Sequence, residues 1–458
     1  MLAVSKNILI TVSQDSIARN VLHSFVMDAL LGEPSLSVYL LVPAEAEKKY
    51  RREFDSTRVR ILGHTPQVNF FDKILRYLCR HNLRTDTIMT DQRTRLLIDR
   101  NYTSFAVKRS LIFLFGKSRF FHELIRFVAK FRRASAKLTD LLKKLEVNLV
   151  VATDVQDNLD IELMRAARDL KIKLVGLVRS WDNLVSEGGL IQIIPDRLIV
   201  WNPYLAGQAI SLHHIPESRV IAAGIPHYDW YLKKELLISR EEFFSKLGLD
   251  PLKKTILFTG LGDYFAPHEA EVVEIIADAF RTGELPSNLQ MLFRPHPAYD
   301  VHGKERLATL PRTIFDHKVS PFTDADKSDH ETQEEKIAHQ LNSIYHSDVI
   351  VTSPSSMVID AVPFDKPAVG VAFDGKSAEP YWNSVKRYIK GYTHIKDLVA
   401  YGAFPVAYNR AQLISLIKEI LENPNKFKDG REKILDEFIW KLDGGSGERF
   451  AKAILEMI

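Results

Sequence analysis

Short apolar runs alternate with helix-length amphipathic stretches along most of this chain, and that alternation restricts it to an open α/β sheet with crossover helices. Strand-like segments over 7–12, 36–42, 59–62, 148–152, 173–178, 196–200 and 219–223 are separated by helical stretches over 16–31, 159–170 and 204–213. Residues 95–145 read as one long helical region without turn clusters. A second series has strands over 255–259, 290–293, 348–352 and 368–372, with helices over 241–247, 268–281 and 355–362. Between the series, 231–240 carries lysines and no clear period, which predicts a linker. The expectation is two Rossmann-like domains facing a central cleft, one over 1–232 and the other over 241–446. A last helix over 447–458 is expected to return to the first domain. A cleft between two α/β domains is a common ligand site.

At 458 residues there is enough chain for two separate cores, and the net charge of +4 is too small to indicate a nucleic-acid protein. The single cysteine, Cys79, excludes an internal disulfide and a Cys-rich zinc site, and it fits a reducing compartment. Residues 1–10 are too short and too quickly interrupted by charge for a signal peptide, and no stretch is long and apolar enough to cross a bilayer. The expected location is the cytoplasm.

Two segments carry the chemistry. Arg294-Pro295-His296-Pro297 and Ser353-Pro354-Ser355-Ser356 each follow an apolar run, so each sits where a parallel strand ends, the edge at which open α/β sheets bind ligands. The first offers a guanidinium and an imidazole. The second offers hydroxyls and backbone N–H groups at a helix start whose positive end suits a phosphate. Neighbouring strand ends bearing these groups would hold a diphosphate. Taken singly, Arg294 pairing with a carboxylate and Ser355 capping a helix explain each segment; the pair of matching positions favours the ligand. Asp360, one turn on, is placed to reach a ribose hydroxyl or to stand solvated. Gly260 and Gly262, after the first strand of the second series, allow close backbone approach or form a tight turn. Asp324-Ala-Asp326 has the spacing of a metal-binding pair but lies in a polar insertion, where it reads as solvated loop. No metal and no separate cofactor is expected.

This order of motifs resembles the CDP-glycerol glycerophosphotransferase superfamily and related surface-polysaccharide transferases of GT-B architecture. The resemblance spans roughly 148–458. It rests on Arg294-Pro-His296-Pro, the Ser353–Ser356 turn with Asp360, Lys366-Pro367 before a strand, and Asp443-Gly-Gly-Ser-Gly-Glu-Arg449. Ser180-Trp-Asp182-Asn183, Val200-Trp-Asn202 and Gly224-Ile-Pro226 add to it. In the serine turn, Ser353-Pro354 stands where family members usually carry Asp-Tyr. The resemblance implies transfer of a sugar or glycerophosphate-type group from a nucleotide-diphosphate donor to a glycan or lipid-linked acceptor. Arg294 and His296 would then neutralise the leaving group, and Ser353, Ser355 and Ser356 would hold its oxygens. An epimerase of the UDP-N-acetylglucosamine 2-epimerase type shares the architecture, and a non-catalytic binding protein is the third reading.

Transfer to an alcohol needs a general base. Asp182, just past the strand ending at Val178, is the first candidate. Asp15 and Asp154 follow other strands, and Asp157 reads as a helix cap. His227 and Asp229 follow Gly224-Ile-Pro226, and His213-His214 follows a helix. Residues 104–145 hold eleven Lys and Arg against Glu123 and Asp140, interleaved with seven phenylalanines. The expected arrangement packs those rings inside the first domain and leaves the cations solvated. Peripheral contact with an anionic membrane ranks second, and RNA is a distant third.

Overall fold

The computed structural model describes residues 6–14, 17–186, 188–317 and 332–458. Asp15, Asp324 and Asp326 lie outside the described residues. The chain forms two compact units, one of residues 1–232 with 437–458 and the other of residues 233–436.

The first unit is built on a seven-stranded sheet. Its strands are β1 (Lys6–Thr11), β2 (Leu36–Pro43), β3 (Val59–His64), β4 (Leu149–Ala152), β5 (Lys173–Leu177), β6 (Arg197–Val200) and β7 (Val220–Ala222). They run in the order β3-β2-β1-β4-β5-β6-β7, with every pairing parallel. In a parallel sheet covered on both faces a strand reads as a continuous apolar run, and all four residues of β4 are buried. Four helices used below are α1 (Phe25–Leu31), α2 (Phe70–His81), α3 (Arg119–Lys130) and α4 (Asn158–Leu170). Asp157 caps α4, accepting from Leu159 N–H at 2.8 Å.

The region expected to be one helical run is broken into Asp86–Asp99, Tyr102–Phe115, α3 and Ala136–Lys144. Each break is marked by a polar cap, since Asn101, Ser118 and Ser135 accept from the amides of Ser104, Phe121 and Leu138. Those three caps were readable in the sequence. The expected helix over 16–31 also splits, because Ser24 caps α1 through the Val26 amide.

The second unit holds β8 (Lys254–Thr259), β9 (Leu289–Arg294), β10 (Thr313–Phe315), β11 (Val349–Thr352), β12 (Ala368–Val371) and β13 (Val406–Ala407). Their order is β10-β9-β8-β11-β12-β13, again all parallel. Both units thus wind outward from their first strand, the doubly wound order of a Rossmann-like domain. The core of this unit includes Phe258, Ile276, Phe280, Met291, Phe293, Val351 and Val369. Helices α5 (Glu269–Arg281), α6 (Gln333–Tyr345) and α7 (Met357–Asp360) bear on the site.

Two expected boundaries move. The segment read as a linker belongs to the second unit from Lys233 on. Asn342 on α6 accepts from Ile238 N–H at 3.0 Å and donates to the Leu236 carbonyl at 2.8 Å, while His346 reaches the Ile238 carbonyl at 2.9 Å. The C-terminal segment joins the first unit from Glu437 rather than 447, because the Phe438 ring lies against Trp181 and Tyr204 and its carbonyl accepts from Asn202. The last helix, α8 (Ser446–Leu455), then packs on α1. Gly447 makes this possible: a Cβ there would sit 2.7 Å from Phe25. Asp229 accepts from the Ser446 and Gly447 amides at 3.2 and 2.7 Å, and Arg449 forks onto Asp443 at 2.8 and 2.9 Å while donating to Ala223. The Asp443–Arg449 segment is therefore a clasp that holds α8.

Candidate active site

The register of the second sheet places Arg294 opposite Thr259 and Thr259 opposite Thr352. Arg294, Gly260 and Ser353 accordingly leave one carboxyl edge in a row. The Arg294 and Ser353 segments are not on adjacent strands, as the motif pair alone suggested. β8 lies between them, so their strand ends are roughly 10 Å apart, and the Gly260-Leu261-Gly262 loop fills the interval. The chain sequence contains no signal for strand order, which is why that interposed loop was missed.

That loop is not open for a phosphate at every amide. Leu261 and Gly262 donate to the Glu269 carboxylate at 2.6 and 3.0 Å. Glu269, at the start of α5, is almost fully enclosed, and burial pushes its carboxyl up to about 7 against the lowering effect of those two N–H groups. Gly262 has φ +79°, and a Cβ there would stand 2.3 Å from Tyr299. Gly260 has no room either, since its Cβ would meet Glu269 Oε1 at 2.6 Å. Both glycines thus let the loop fold down on Glu269 and on the 299–303 segment, where His302 pairs with Asp263.

Arg294 is largely buried, and its guanidinium stands 3.9 Å from Asp316, a fully buried carboxylate to which His339 on α6 donates at 2.8 Å. The carboxylate pairing weighed from the sequence is present, at a distance beyond a hydrogen bond. His296 is not the cation expected of it. Burial lowers its pKa, and Nδ1 accepts from Ala298 N–H at 3.0 Å. The ring proton therefore sits on Nε2, giving a neutral donor beside the Arg294 cation. Tyr299 lies 4.8 Å from the His296 ring and stacks on the exposed Tyr264 at 5.5 Å, forming an aromatic ledge.

On the other side of β8, Ser353 is buried, Ser355 half-buried and Ser356 exposed. The Ser355 hydroxyl accepts from Met357 N–H at 3.3 Å and lies 3.2 Å from the Thr352 hydroxyl. The expected helix over 355–362 is reduced to α7 followed by a 3-10 turn at Val362–Phe364, because Pro363 lacks the amide that would continue it. Asp360 is buried, so it is not a solvated helix position. The Thr259 hydroxyl is buried at the same edge with no hydrogen-bond partner among the described residues.

At the carboxyl edge of the first sheet, Asp182 precedes the 3-10 turn Asn183–Val185. Its half-buried carboxylate caps nothing and makes no hydrogen bond among the described residues. Asp154, weighed as an alternative, is buried and bound to Arg179 at 2.8 Å, with burial raising its pKa against the guanidinium. Asp160 was not foreseen. It is wholly enclosed, accepts from Thr11 and from the Asp154 amide, and burial holds it protonated well above the ordinary range. His213 is a core residue bonded to Ile191 N–H and the Leu184 carbonyl, and His227 is half-buried, with desolvation lowering its pKa.

Two Rossmann-like sheets with polar carboxyl edges, one of them bearing an arginine, a histidine and a serine turn, define a nucleotide-donor transferase. The chain belongs to the CDP-glycerol:poly(glycerophosphate) glycerophosphotransferase family, whose model matches residues 192–456. Among solved structures, the UDP-GlcNAc 2-epimerase from Neisseria meningitidis bound to UDP-GlcNAc is similar over 98% of this chain and 100% of that chain, with TM-score 0.57 and 11% identity. The S. aureus MnaA–UDP structure is similar over 99% and 98%, with TM-score 0.55 and 13% identity. The wall teichoic acid polymerase TagF is similar over 99% and 89%, with TM-score 0.51 and 13% identity. No curated protein matches the sequence.

Proposed function

We propose that this GT-B-like enzyme moves a glycerophosphate-type group or a sugar from a cytidine or uridine diphosphate donor to a surface-glycan or lipid-linked acceptor at the cytoplasmic face of a membrane. The observation that carries the donor assignment is the row formed by Arg294, the Gly260–Gly262 loop and the serine turn along one sheet edge. In this reading Arg294 neutralises the diphosphate, His296 Nε2–H donates to one of its oxygens, and Ser355 and Ser356 with the turn amides take others. Ser353 orders the turn from below, and Asp360 does the same from within. Tyr264 offers a face on which a pyrimidine stacks. Gly260 and Gly262 act by letting the loop close onto Glu269.

For glycerophosphate transfer, an acceptor hydroxyl attacks the phosphorus that bears glycerol, the bridging P–O bond breaks, and the nucleoside monophosphate leaves with the electron pair. Asp182 takes the hydroxyl proton. The test is calorimetry with CDP, CDP-glycerol, UDP and UDP-GlcNAc, followed by nucleotide release with and without a poly(glycerophosphate) acceptor. Binding of at least one ligand, and acceptor-dependent release, are expected. Acceptor-free conversion of UDP-GlcNAc would replace this reading with an epimerase, and binding without turnover by any donor would leave a binding protein.

A further inference from the structure

α3 turns His122, Ile125, Arg126 and Ala129 inward and leaves Phe120, Phe127 and Phe131 exposed, so not all of the rings expected inside the first domain pack there. At the C-terminal end of that helix opens a cavity of about 550 Å³, a volume in the range of small-molecule sites. Lys130 at the end of α3, Arg168 and Lys171 at the end of α4, Lys173 at the start of β5, Asp196 just before β6 and Arg219 just before β7 all contribute to its walls. The three strand positions lie at the amino edge of the first sheet. Asp182 and Asp154 follow the carboxyl ends of β5 and β4. One strand length, roughly 13 Å for β5, therefore separates the cavity from the candidate base.

With Arg126, six cations line the cavity against two carboxylates, Glu123 and Asp196. Both carboxylates are already bonded, Glu123 to Arg126 at 2.7 Å and Asp196 to the Leu174 amide at 3.0 Å. Arg126 also donates to the Ile191 and His213 carbonyls, and Arg168 to Asp169 and the Arg132 carbonyl, so these two are spent on the protein. Lys130, Lys171 and Lys173 are exposed and make no ion pair among the described residues, while Arg219 donates to the Pro195 carbonyl at 3.2 Å. Cations at helix ends offset the helix dipole, which accounts for Lys130, Arg168 and Lys171. It does not account for Lys173, which opens a strand, or for Arg219, whose 3-10 turn has three residues. Carbonyls at those helix ends are covered as well: Ala129 accepts from Arg168, and Ala167 from the Ile172 amide at 2.9 Å. The remaining wall is apolar, with Leu174 buried and Ile172, Ile193 and Ile194 half-buried.

We infer that this cavity is a second nucleotide site, which takes a nucleoside polyphosphate as a ligand and not as a substrate. Lys130, Lys171, Lys173 and Arg219 meet its phosphates, and the isoleucines face its base. Four cations without a carboxylate partner match the charge of a triphosphate, and an ammonium binds phosphate as a point charge. The aliphatic wall gains from covering a base, a gain that an inorganic anion forgoes. A bounded volume of this size holds one small molecule, whereas a polymeric polyanion needs an open track. The site lies on the first unit alone and does not depend on which donor the enzyme uses.

Calorimetry on the full chain with ATP, GTP, CTP, inorganic tripolyphosphate and poly(glycerophosphate) tests it. At least one nucleoside triphosphate is expected to bind wild type and Arg294→Ala with equal affinity, which separates this site from the donor edge, and to be recovered unchanged. Each ammonium lost from a phosphate contact weakens binding about ten-fold, so Lys171→Gln/Lys173→Gln is expected to bind that nucleotide roughly 100-fold more weakly. Its melting temperature should not change, because both side chains are exposed and unpaired. Hydrogen exchange in peptides covering 168–174 and 192–196 is expected to slow when the nucleotide is added to wild type, and not in the double variant. No binding by any triphosphate, full binding by the double variant, or hydrolysis of the bound nucleotide would overturn the assignment. Loss of all triphosphate binding in Arg294→Ala would return the ligand to the donor edge. Tripolyphosphate binding as tightly as the nucleotides would give the cavity to an inorganic anion, and poly(glycerophosphate) binding without triphosphate binding would give it to the polymer; either result rejects the nucleotide site.

Discussion

Replacing Glu269 with glutamine tests whether the loop between the Arg294 and Ser353 segments is held by a carboxyl that titrates near neutrality. In the closed loop the group has a pKa of about 7, against 4.5 when exposed. The closed state therefore binds a proton that the opened state has lost between these values. Stability of closure is fully present below about 4.5, falls as the pH rises through about 7, and is flat above it. The span corresponds to about 3 kcal/mol, or a factor on the order of 10² in the opening equilibrium. Hydrogen exchange read by mass spectrometry on peptides covering 259–265 measures that equilibrium locally, which matters because a chain of two units need not unfold in one step. Corrected for intrinsic exchange, protection of the Leu261 and Gly262 amides should fall by about 10² between pH 5 and pH 8 in the wild type. Glu269→Gln supplies a single acceptor oxygen for two amides, so its protection should be lower at pH 5 and nearly independent of pH. Equal pH slopes in the two proteins would refute the assigned proton, whatever the absolute protection.

Arg294→Ala should weaken binding of the best nucleotide diphosphate by about 1.5–3 kcal/mol, and calorimetric affinity within two-fold of wild type would reduce Arg294 to a partner of Asp316. Asp182→Asn should keep fold and nucleotide affinity while lowering turnover about 10²–10⁴-fold; full activity would exclude Asp182 as the base. Gly262→Ala should cost about 2 kcal/mol or more, since a side chain is strained at that positive φ and its Cβ meets Tyr299. An unchanged melting temperature would count against the loop geometry.

Within each unit, what the sequence determined is what is local. A parallel strand covered on both faces must be apolar along its whole length, so β4, β8, β9 and β11 announce themselves within a residue or two. Helix caps are as local, and Asn101, Ser118 and Ser135 mark breaks that the apolar period hides. The same locality placed Arg294, His296 and Ser353–Ser356 at strand ends. Tertiary structure decided what depends on non-adjacent residues. The insertion of β8 between β9 and β11 follows from pairing across ninety residues of chain. That pairing puts a glycine loop, and the buried Glu269 under it, between the two motifs. The ionisation of Glu269, Asp160 and His296 is set by enclosure, which comes from atoms distant in sequence. The phenylalanines of α3 show the same division. Their period gave two equivalent faces for a helix rich in both rings and cations, and only packing against α2 determined that Ile125 would be covered and Phe120, Phe127 and Phe131 left in water.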